Sequence, residues 1–255
     1  MNASKTTARK RADQVLVARN FYDSRAKAQE AIAAGLVSAN GALVRKASDM
    51  LDPDALIDAR KPYPWVSRGG VKLAHALSSF GIDPSGQLCL DVGASTGGFS
   101  HVLLEGQAAQ CVAVDVGHDQ LHKSLRDHPR LSVMEGCDIR TLKSADLPYA
   151  PTLIVMDVSF ISVTLILEAV SALAADEAWL IVLIKPQFEV GKAHIGKNGL
   201  VKDAQVQLDC CEKIRGQITA LGWSVKDIIP SPITGGDGNQ EFLLGAVRQK
   251  AIRSC

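Results

Sequence analysis

Residues 88–100 read Leu-Cys-Leu-Asp-Val-Gly-Ala-Ser-Thr-Gly-Gly-Phe-Ser. An apolar run of strand length, 88–92, passes into a glycine-rich turn and then into an apolar helical stretch around 98–106. A strand, a glycine turn and a helix N-terminus in this order place backbone N–H groups and the positive end of a helix dipole beside a ligand. The sequence therefore predicts a ligand site at the carboxyl end of this strand.

Strand and helix patterns alternate on both sides of this loop. Alternation of this kind predicts an α/β fold with a mostly parallel sheet that helices cover on both faces. Segments 224–229 and 241–247 are only a loop apart, which predicts an antiparallel hairpin at the end of the sheet. The predicted strands are 88–92, 111–116, 131–135, 153–158 and 179–184, and the predicted helices lie around 98–106, 118–127, 162–174 and 203–220.

The N-terminal part of the chain follows another pattern. We expect a short amphipathic helix at 11–19 and a second helix that Ser24 caps and Gly35 ends. Asn40-Gly41, between two short apolar runs, is a strong signal for a β-hairpin. The stretch SRAKAQEAIAAGLVSANG at 24–41 resembles the RNA-binding module named after ribosomal protein S4, so we expect a small α+β domain here.

A segment rich in proline follows this module. Two prolines and two aromatic residues, Pro62-Tyr63-Pro64-Trp65, favour an extended connection. We therefore predict an S4-like domain at 1–61, a linker at 62–67 and a second domain at 68–255.

Composition limits the class of protein. The chain has 255 residues, of which 47% are hydrophobic and 22% are charged, as in a soluble globular protein. No apolar run approaches the roughly 20 residues that a membrane span needs, so we expect a cytoplasmic protein. The six cysteines are scattered and never form CxxC, which favours free thiols over disulfides or a metal site.

Charge is divided unevenly along the chain. Residues 1–72 carry a net charge of +6, whereas residues 73–255 carry −5. A basic module suits a polyanion such as RNA, although a solvated charged surface is an equally good interpretation of composition alone. The candidate RNA contacts are Lys5, Arg9, Lys10 and Arg11 ahead of the first helix, and Arg25 and Lys27 on the second helix.

The glycine loop indicates an adenosine-containing cofactor. Asp115 ends the second predicted strand, 22 positions after Gly93, where a carboxylate can accept both ribose hydroxyls. A tight turn and a helix cap are the structural alternatives for these residues. The patterns GxGxxG and GxxxxGK[ST] are absent from this loop, which disfavours a dinucleotide and a nucleoside triphosphate.

DVGASTGG resembles the first motif of class I S-adenosylmethionine-dependent methyltransferases, which have a Rossmann-like seven-stranded sheet. The resemblance implies that Asp91 and the loop hold the methionine part of the cofactor, that Asp115 holds the ribose, and that Asp138 faces the adenine amino group. The implied loop residues are Gly93, Ala94, Ser95, Thr96, Gly97, Gly98 and Phe99.

Two lysines and two carboxylates fall at the ends of predicted elements. Lys72 precedes the first strand, Asp157 ends the fourth, Lys185 ends the fifth and Glu241 opens the last. Structural ion pairs are the alternative for each residue alone, and a solvated side chain is the alternative for Lys72. Together they suit a ribose 2′-hydroxyl as methyl acceptor, with Lys185 as the base, because burial and a second cation favour a neutral lysine.

Other acceptors fit the sequence less well. Amino-group methylation typically uses Asn/Asp-Pro-Pro-aromatic after the fourth strand, where this chain has Asp157-Val158-Ser159-Phe160. Cytosine C5 methylation needs a nucleophilic cysteine in the site, and Cys210-Cys211 falls within a predicted helix.

WVSRGGVKL, DVGASTGGFS, DVSFIS and KPQFEVGK resemble the hemolysin A (TlyA) family of rRNA 2′-O-methyltransferases, which join an S4-like domain to an FtsJ-like domain. The resemblance implies a catalytic tetrad of Lys72, Asp157, Lys185 and Glu241, and RNA contacts at Arg68 and Lys192. It implies a cytidine ribose of 16S rRNA, 23S rRNA or both as substrate. Members that act on both subunits are generally extended at both ends, whereas this chain stops seven residues after Arg248, so its substrate range stays open.

Two other functions are weighed against this enzyme. An RNA-binding protein without turnover is disfavoured, because such a protein does not need all four tetrad residues. Membrane lysis, which only the family name suggests, is disfavoured because no membrane span is present. We expect a monomer that binds ribosomal subunits, with no metal and no membrane partner.

Overall fold

The computed structural model describes residues 8–249. The chain divides into two compact units, residues 1–64 and 65–255. Lys5, a candidate RNA contact, and Cys255, one of the six cysteines, lie outside the described residues. The segment 62–67 covers the boundary between the units, and its role as a linker stays a prediction.

The first unit is a small α+β fold. Its core is formed by apolar side chains of both helices and of the central strand, including Leu16, Ile32 and Val37. Its elements are β1 (Lys10–Arg11), α1 (Ala12–Ala18), α2 (Arg25–Ala33), β2 (Val37–Ala39), β3 (Ala42–Leu43), β4 (Met50–Leu51) and β5 (Ile57–Ala59). β1 pairs with β4, and β3, β2 and β5 form an antiparallel sheet in that order.

The predicted turn and helix cap of this unit are confirmed. Asn40 and Gly41 both have positive φ, +51° and +79°, as a two-residue hairpin turn requires. Ser24 Oγ accepts a hydrogen bond from Lys27 N at 3.3 Å and caps α2. Two of the basic residues ahead of α1, Lys10 and Arg11, form a short strand that pairs with Leu51 and Met50.

The second unit contains a seven-stranded sheet in the order β11-β12-β10-β9-β6-β7-β8, which confirms the predicted α/β class. β12 is antiparallel to both of its neighbours, which confirms the predicted terminal hairpin, and the other pairs are parallel. Its elements are α3 (Gly69–Phe80), β6 (Leu88–Val92), α4 (Gly98–Glu105), β7 (Gln110–Asp115), β8 (Leu131–Glu135), β9 (Leu153–Met156), α5 (Leu167–Leu173), β10 (Ala178–Ile184), α6 (Pro186–Glu189), α7 (Ala204–Ala220), β11 (Ser224–Pro230) and β12 (Phe242–Arg248).

The central strands read as continuous apolar runs because both faces of the sheet are covered. All four residues of β9 are buried, and one apolar cluster packs on each face of the sheet. Parallel strands that share a direction end at the same edge, so the loops after β6, β7, β9 and β10 meet there. Glu241 reaches this edge from the opposite direction, because β12 is antiparallel.

The predicted helix at 118–127 is wrong, since this segment consists of turns. The backbone amides of Asp119, Gln120 and Leu121 donate to the carboxylate of Glu135 at 2.8 to 3.1 Å. Asp119 also has a φ of +53°, which a right-handed helix does not contain. Side-chain acceptors therefore replace the carbonyl partners that a helix would need.

Within residues 8–249, no helix combines the length and the apolar character needed to cross a bilayer. The cysteines in that range, Cys89, Cys111, Cys137, Cys210 and Cys211, are free thiols.

Candidate active site

The loop between β6 and α4 is built around glycines. Gly93 has a φ of +83°, and a Cβ there would lie 2.5 Å from the carbonyl oxygen of Asp157. Gly97 has a φ of +87°, and a Cβ there would lie 2.6 Å from the side chain of Leu125. Glycine alone satisfies both the left-handed backbone and these close approaches. The loop therefore lies directly against the end of β9, where Asp157 stands.

Asp91 is a fully buried carboxyl group beneath this loop. Its Oδ2 accepts hydrogen bonds from Ser100 N at 2.8 Å and Ser100 Oγ at 2.7 Å. Its Oδ1 has no hydrogen-bond partner among the described residues. Burial raises the pKa of Asp91 to about 7, against the two bonds from Ser100. A ligand with a cationic group would relieve this buried charge.

Asp115 fixes the glycine loop to the end of β7. Its Oδ2 accepts from Ser95 N and its Oδ1 from Gly117 N, each at 2.7 Å. The helix-cap alternative is excluded, because no helix follows Asp115. Its side chain is part of the wall of a cavity at this edge of the sheet.

Asp138 belongs to the same wall but carries a partner of its own. Its carboxylate forms an ion pair with Arg140 at 2.6 Å. Hydrogen bonds from the Arg140 side chain and backbone lower the pKa of Asp138 to about 2. The carboxylate is therefore ionised and already engaged on one side.

Two cavities adjoin the glycine loop. The larger, of about 550 Å³, is lined by Gly93, Ser95, Asp115, Asp138 and Asp157 together with apolar side chains. The smaller, of about 150 Å³, is lined by Ala94, Thr96, Gly98 and Phe99 of the loop and helix and by Ser159 and Lys185. Of the predicted cofactor residues, Asp91 and Gly97 line neither cavity. The glycine cradle, the carboxylate of Asp115 and a cavity of this size fit S-adenosylmethionine, which has a nucleoside part.

The four predicted reacting residues meet at the same sheet edge. Lys72 lies on α3, Asp157 and Lys185 directly follow β9 and β10, and Glu241 directly precedes β12. Lys72 and Lys185 are only 7% and 8% exposed, which excludes the solvated alternative for Lys72. Lys72, Lys185 and Glu241 line a third cavity, of about 540 Å³.

The four side chains form two ion pairs. Lys185 Nζ lies 2.6 Å from Asp157 Oδ1, and it also donates to Ser159 Oγ at 2.7 Å. Lys72 Nζ donates to Glu241 Oε2 in the other pair, which is buried. Burial raises the pKa of Glu241, although both lysines oppose this change. The site thus holds the Nζ atoms of two lysines in fixed positions beside the cofactor cavities.

Sequence reasoning missed three residues of this site, Ser159, Phe160 and Gln187. Ser159 lines all three cavities, and Phe160 is 91% exposed with a left-handed φ of +65°. The Phe160 ring lies 5.3 Å from that of Phe188, centroid to centroid. A large apolar side chain held in an unfavourable backbone conformation at a cavity wall indicates a functional constraint.

The predicted RNA contacts of the first unit are divided between exposed and paired side chains. Arg9 and Lys10 are exposed, and Lys27 forms an ion pair with Asp23 at 2.9 Å. Arg11 and Arg25 both donate to the buried carboxylate of Asp13, at 3.0 and 2.8 Å. Hydrogen bonds, first of all from Arg11, hold the pKa of Asp13 well below its usual range. Arg11 and Arg25 therefore also stabilise the fold of this unit.

Two predicted RNA contacts lie in the second unit. Arg68 directly precedes α3 and donates to the carbonyl oxygen of Thr234 at 2.7 Å. Lys192 is exposed in a short 3-10 helix after Lys185. Their roles toward RNA stay predictions.

Family models and known proteins resemble this chain along most of its length. The FtsJ-like methyltransferase model matches residues 65–248, and the S4 domain model matches residues 10–57. The 16S/23S rRNA (cytidine-2′-O)-methyltransferase TlyA of Mycobacterium tuberculosis is 41% identical over 238 residues, 92% of this chain and 89% of that protein. The 23S rRNA (cytidine-2′-O)-methyltransferase TlyA of Campylobacter jejuni is 42% identical over 179 residues, 70% and 69% of the two chains.

A solved structure from Streptococcus thermophilus, described as a hemolysin, is similar to nearly the whole of this chain. It matches with a TM-score of 0.75 and 34% identity and covers 97% of this chain and 92% of its own. The matched models, the relatives and the glycine-loop site agree with one another. This chain belongs to the hemolysin A (TlyA) family of S-adenosylmethionine-dependent rRNA methyltransferases, in which an S4 domain is followed by an FtsJ-like domain.

Proposed function

We propose that this protein transfers the methyl group of S-adenosylmethionine to the 2′-hydroxyl of a cytidine in 16S rRNA, 23S rRNA or both. The observation that carries the proposal is the pair of buried lysines, Lys72 and Lys185, each paired with a carboxylate beside the glycine-loop cavities. The names of the relatives support cytidine and the 2′-oxygen. The enzyme acts as a cytoplasmic monomer on ribosomal subunits.

Bound S-adenosylmethionine supplies a methyl group on a positively charged sulfur. The residues of the chain have to position the ribose hydroxyl and remove its proton, because a neutral hydroxyl is a weak nucleophile. Lys185 Nζ would accept that proton as the ribose oxygen takes the methyl group, and the sulfur of S-adenosylmethionine would be the leaving group. Asp157 and Ser159 hold Nζ in place through contacts of 2.6 and 2.7 Å. Lys72, held by Glu241, positions the hydroxyl.

Phe160 supports a nucleotide as the substrate. Its exposed ring lies beside the cavity that Lys72, Lys185 and Glu241 line. An unstacked base gains stacking energy on such a ring without any requirement for its identity. The ring therefore suits a base whose ribose is presented to Lys185.

Methyl transfer to isolated ribosomal subunits tests the proposed function. Separated small and large subunits from a strain that lacks the gene are incubated with the enzyme and with S-adenosylmethionine carrying a labelled methyl group. We expect label in 2′-O-methylcytidine of one or both subunits, and none with the Lys185→Ala variant. Label in a base, or no label in either subunit and their assembly precursors, would contradict the proposal.

Asp91 gives a prediction that links pH to cofactor binding. Because its folded pKa of about 7 lies above the ordinary value of about 4, the folded protein retains a proton that the unfolded chain has lost. The stability of the cofactor-free protein therefore falls as the pH rises from about 4 to about 7. Asp91→Asn should remove this loss of stability with rising pH, because asparagine does not titrate. We also expect it to weaken cofactor binding about tenfold or more, because the negative charge of the carboxylate is lost.

Both effects of Asp91→Asn can be measured in the full-length protein with signals that report on the second unit. All three tryptophans, Trp65, Trp179 and Trp223, belong to that unit, so their fluorescence follows its unfolding in urea. Calorimetric titration gives the affinity for S-adenosylmethionine, with the exposed Asp83→Asn as the matched control. Unchanged cofactor affinity in Asp91→Asn would mean that Asp91 only fixes the start of α4.

Arg25 and Lys27 test the RNA-binding role of the first unit. We expect their joint replacement by alanine to weaken rRNA binding and to reduce the slope of log affinity against log salt by about 1 to 2. Since Arg25 also stabilises buried Asp13, the single variant Lys27→Ala isolates the phosphate contact. Filter binding to purified 23S rRNA at several salt concentrations gives the slopes, with Lys226→Ala as a charge-matched control on the second unit. Equal slopes for Lys27→Ala and the control would place the RNA contact elsewhere.

A further inference from the structure

Gln187 is a polar residue of the active-site wall that the proposed mechanism does not use. It lies in α6, two positions after Lys185, and lines the cavity that Lys72, Lys185 and Glu241 also line. Its Nε2 donates to Asp237 Oδ2 at 3.1 Å. Its Oε1 is removed from solvent and has no hydrogen-bond partner within residues 8–249. Buried acceptors are usually paired, so this atom calls for a donor that the chain itself does not supply.

Asp237 fixes which end of the Gln187 amide is left without a partner. Its carboxylate also accepts from Asn239 N at 3.0 Å and Asn239 Nδ2 at 2.8 Å. Burial alone would raise the pKa of Asp237. The hydrogen bonds from Asn239 and Gln187 outweigh burial and hold this pKa below its ordinary value, so the group is ionised at neutral pH. An ionised carboxylate only accepts hydrogen bonds, so the Gln187 amide must turn its NH₂ group toward Asp237. The carbonyl oxygen Oε1, at the other end of the amide, then needs a hydrogen-bond donor.

The donor that fits this acceptor is the exocyclic amino group of a pyrimidine. Cytosine carries an N4 amino group that donates, whereas uracil has a carbonyl oxygen at the same ring position. In the same ring pose, uracil would place one acceptor against another. A site whose buried polar group loses its partner rejects the wrong substrate far better than an apolar pocket does.

We propose that Gln187 Oε1 accepts a hydrogen bond from the amino group of the target base and selects cytidine over uridine, with Asp237 as the positioning residue that orients the amide. The inference rests on the proposed function and assigns its base specificity to named atoms. The Gln187 hydrogen bond adds no step to the reaction, so its effect is on the rate with cytidine relative to the rate with uridine.

The ratio of kcat/KM for two substrates tests this role. Once the methylated nucleotide is mapped, subunits are prepared with cytidine or uridine at that position. We expect Gln187→Leu to lose about tenfold or more in kcat/KM on cytidine and little on uridine, so that the ratio falls about tenfold. Asp237→Asn changes an exposed residue and allows the Gln187 side-chain amide to rotate by half a turn. We expect it to lower the cytidine-to-uridine ratio of kcat/KM by a smaller factor.

Gln205→Leu is the matched control, because Gln205 donates to Asp209 in the same way on the exposed surface of α7. A ratio within one sample is independent of the fraction of folded enzyme, so partial misfolding does not affect the result. An unchanged ratio in both Gln187→Leu and Asp237→Asn would overturn the inference, whereas a wild-type enzyme that methylates neither substrate would instead contradict the proposed function.

Discussion

Lys185→Ala is expected to lower methyl transfer by about a thousandfold or more while S-adenosylmethionine binds with nearly its normal affinity. A general base contributes about 10² to 10⁴ in rate, and Lys185 also places the hydroxyl. Its Nζ contacts Asp157 and Ser159. In the alanine variant these two oxygens remain, but the amine that accepts the proton is gone. The predicted loss is therefore in kcat, since the glycine loop and Asp115 are untouched.

Two further variants separate this chemical role from a structural one. Lys185→Met keeps most of the side-chain volume without the amine, and it should be as inactive as the alanine variant. Lys226→Ala removes a lysine from exposed β11 and should be fully active. Single-turnover rates with labelled cofactor, together with calorimetric cofactor affinities, provide the measurement. A Lys185→Met enzyme within tenfold of the wild-type rate would remove Lys185 from proton transfer.

Three of the four tetrad residues could be placed at one site from sequence by a simple geometric rule, whereas Lys72 lies on a helix and the catalytic set as a whole is implied by the family resemblance. Residues that follow parallel strands meet at one edge of a sheet, however far apart they lie in the chain. Asp157 and Lys185 follow adjacent strands. The apolar runs in the sequence predict the ends of those strands to within two residues. Glu241 could be placed because the last strand of the hairpin runs in the opposite direction.

Other features depend on partners that no local pattern reveals. The 118–127 segment has helix-like composition, but Glu135 captures its backbone amides from a neighbouring strand. Arg25 is exposed, as an RNA contact would be, but its guanidinium group also pairs with the buried Asp13 of the preceding helix. The open acceptor of Gln187 depends on Asp237, fifty positions later. Each case is a long-range side-chain hydrogen bond, which leaves no periodic trace in the sequence.

Glu241→Ala is expected to destabilise the second unit by about 3 to 5 kcal/mol in addition to abolishing methyl transfer. The substitution leaves the Lys72 ammonium group buried without its partner, and an unpaired buried charge is far more costly than a missing ion pair. Tryptophan fluorescence during urea unfolding measures this cost in the second unit. A loss below about 1 kcal/mol would show that the Lys72 charge finds another partner or reaches water.

The double variant Lys72→Met with Glu241→Leu separates stability from catalysis at this pair. Apolar side chains of similar volume often replace a buried ion pair without loss of stability, so we expect the double variant to regain most of what Glu241→Ala loses. It should nevertheless stay inactive, because neither the second cation nor its carboxylate partner remains beside Lys185. A stable double variant that still methylated rRNA would assign the Lys72–Glu241 pair to the fold alone and leave Lys185, Asp157 and Ser159 as the reacting group.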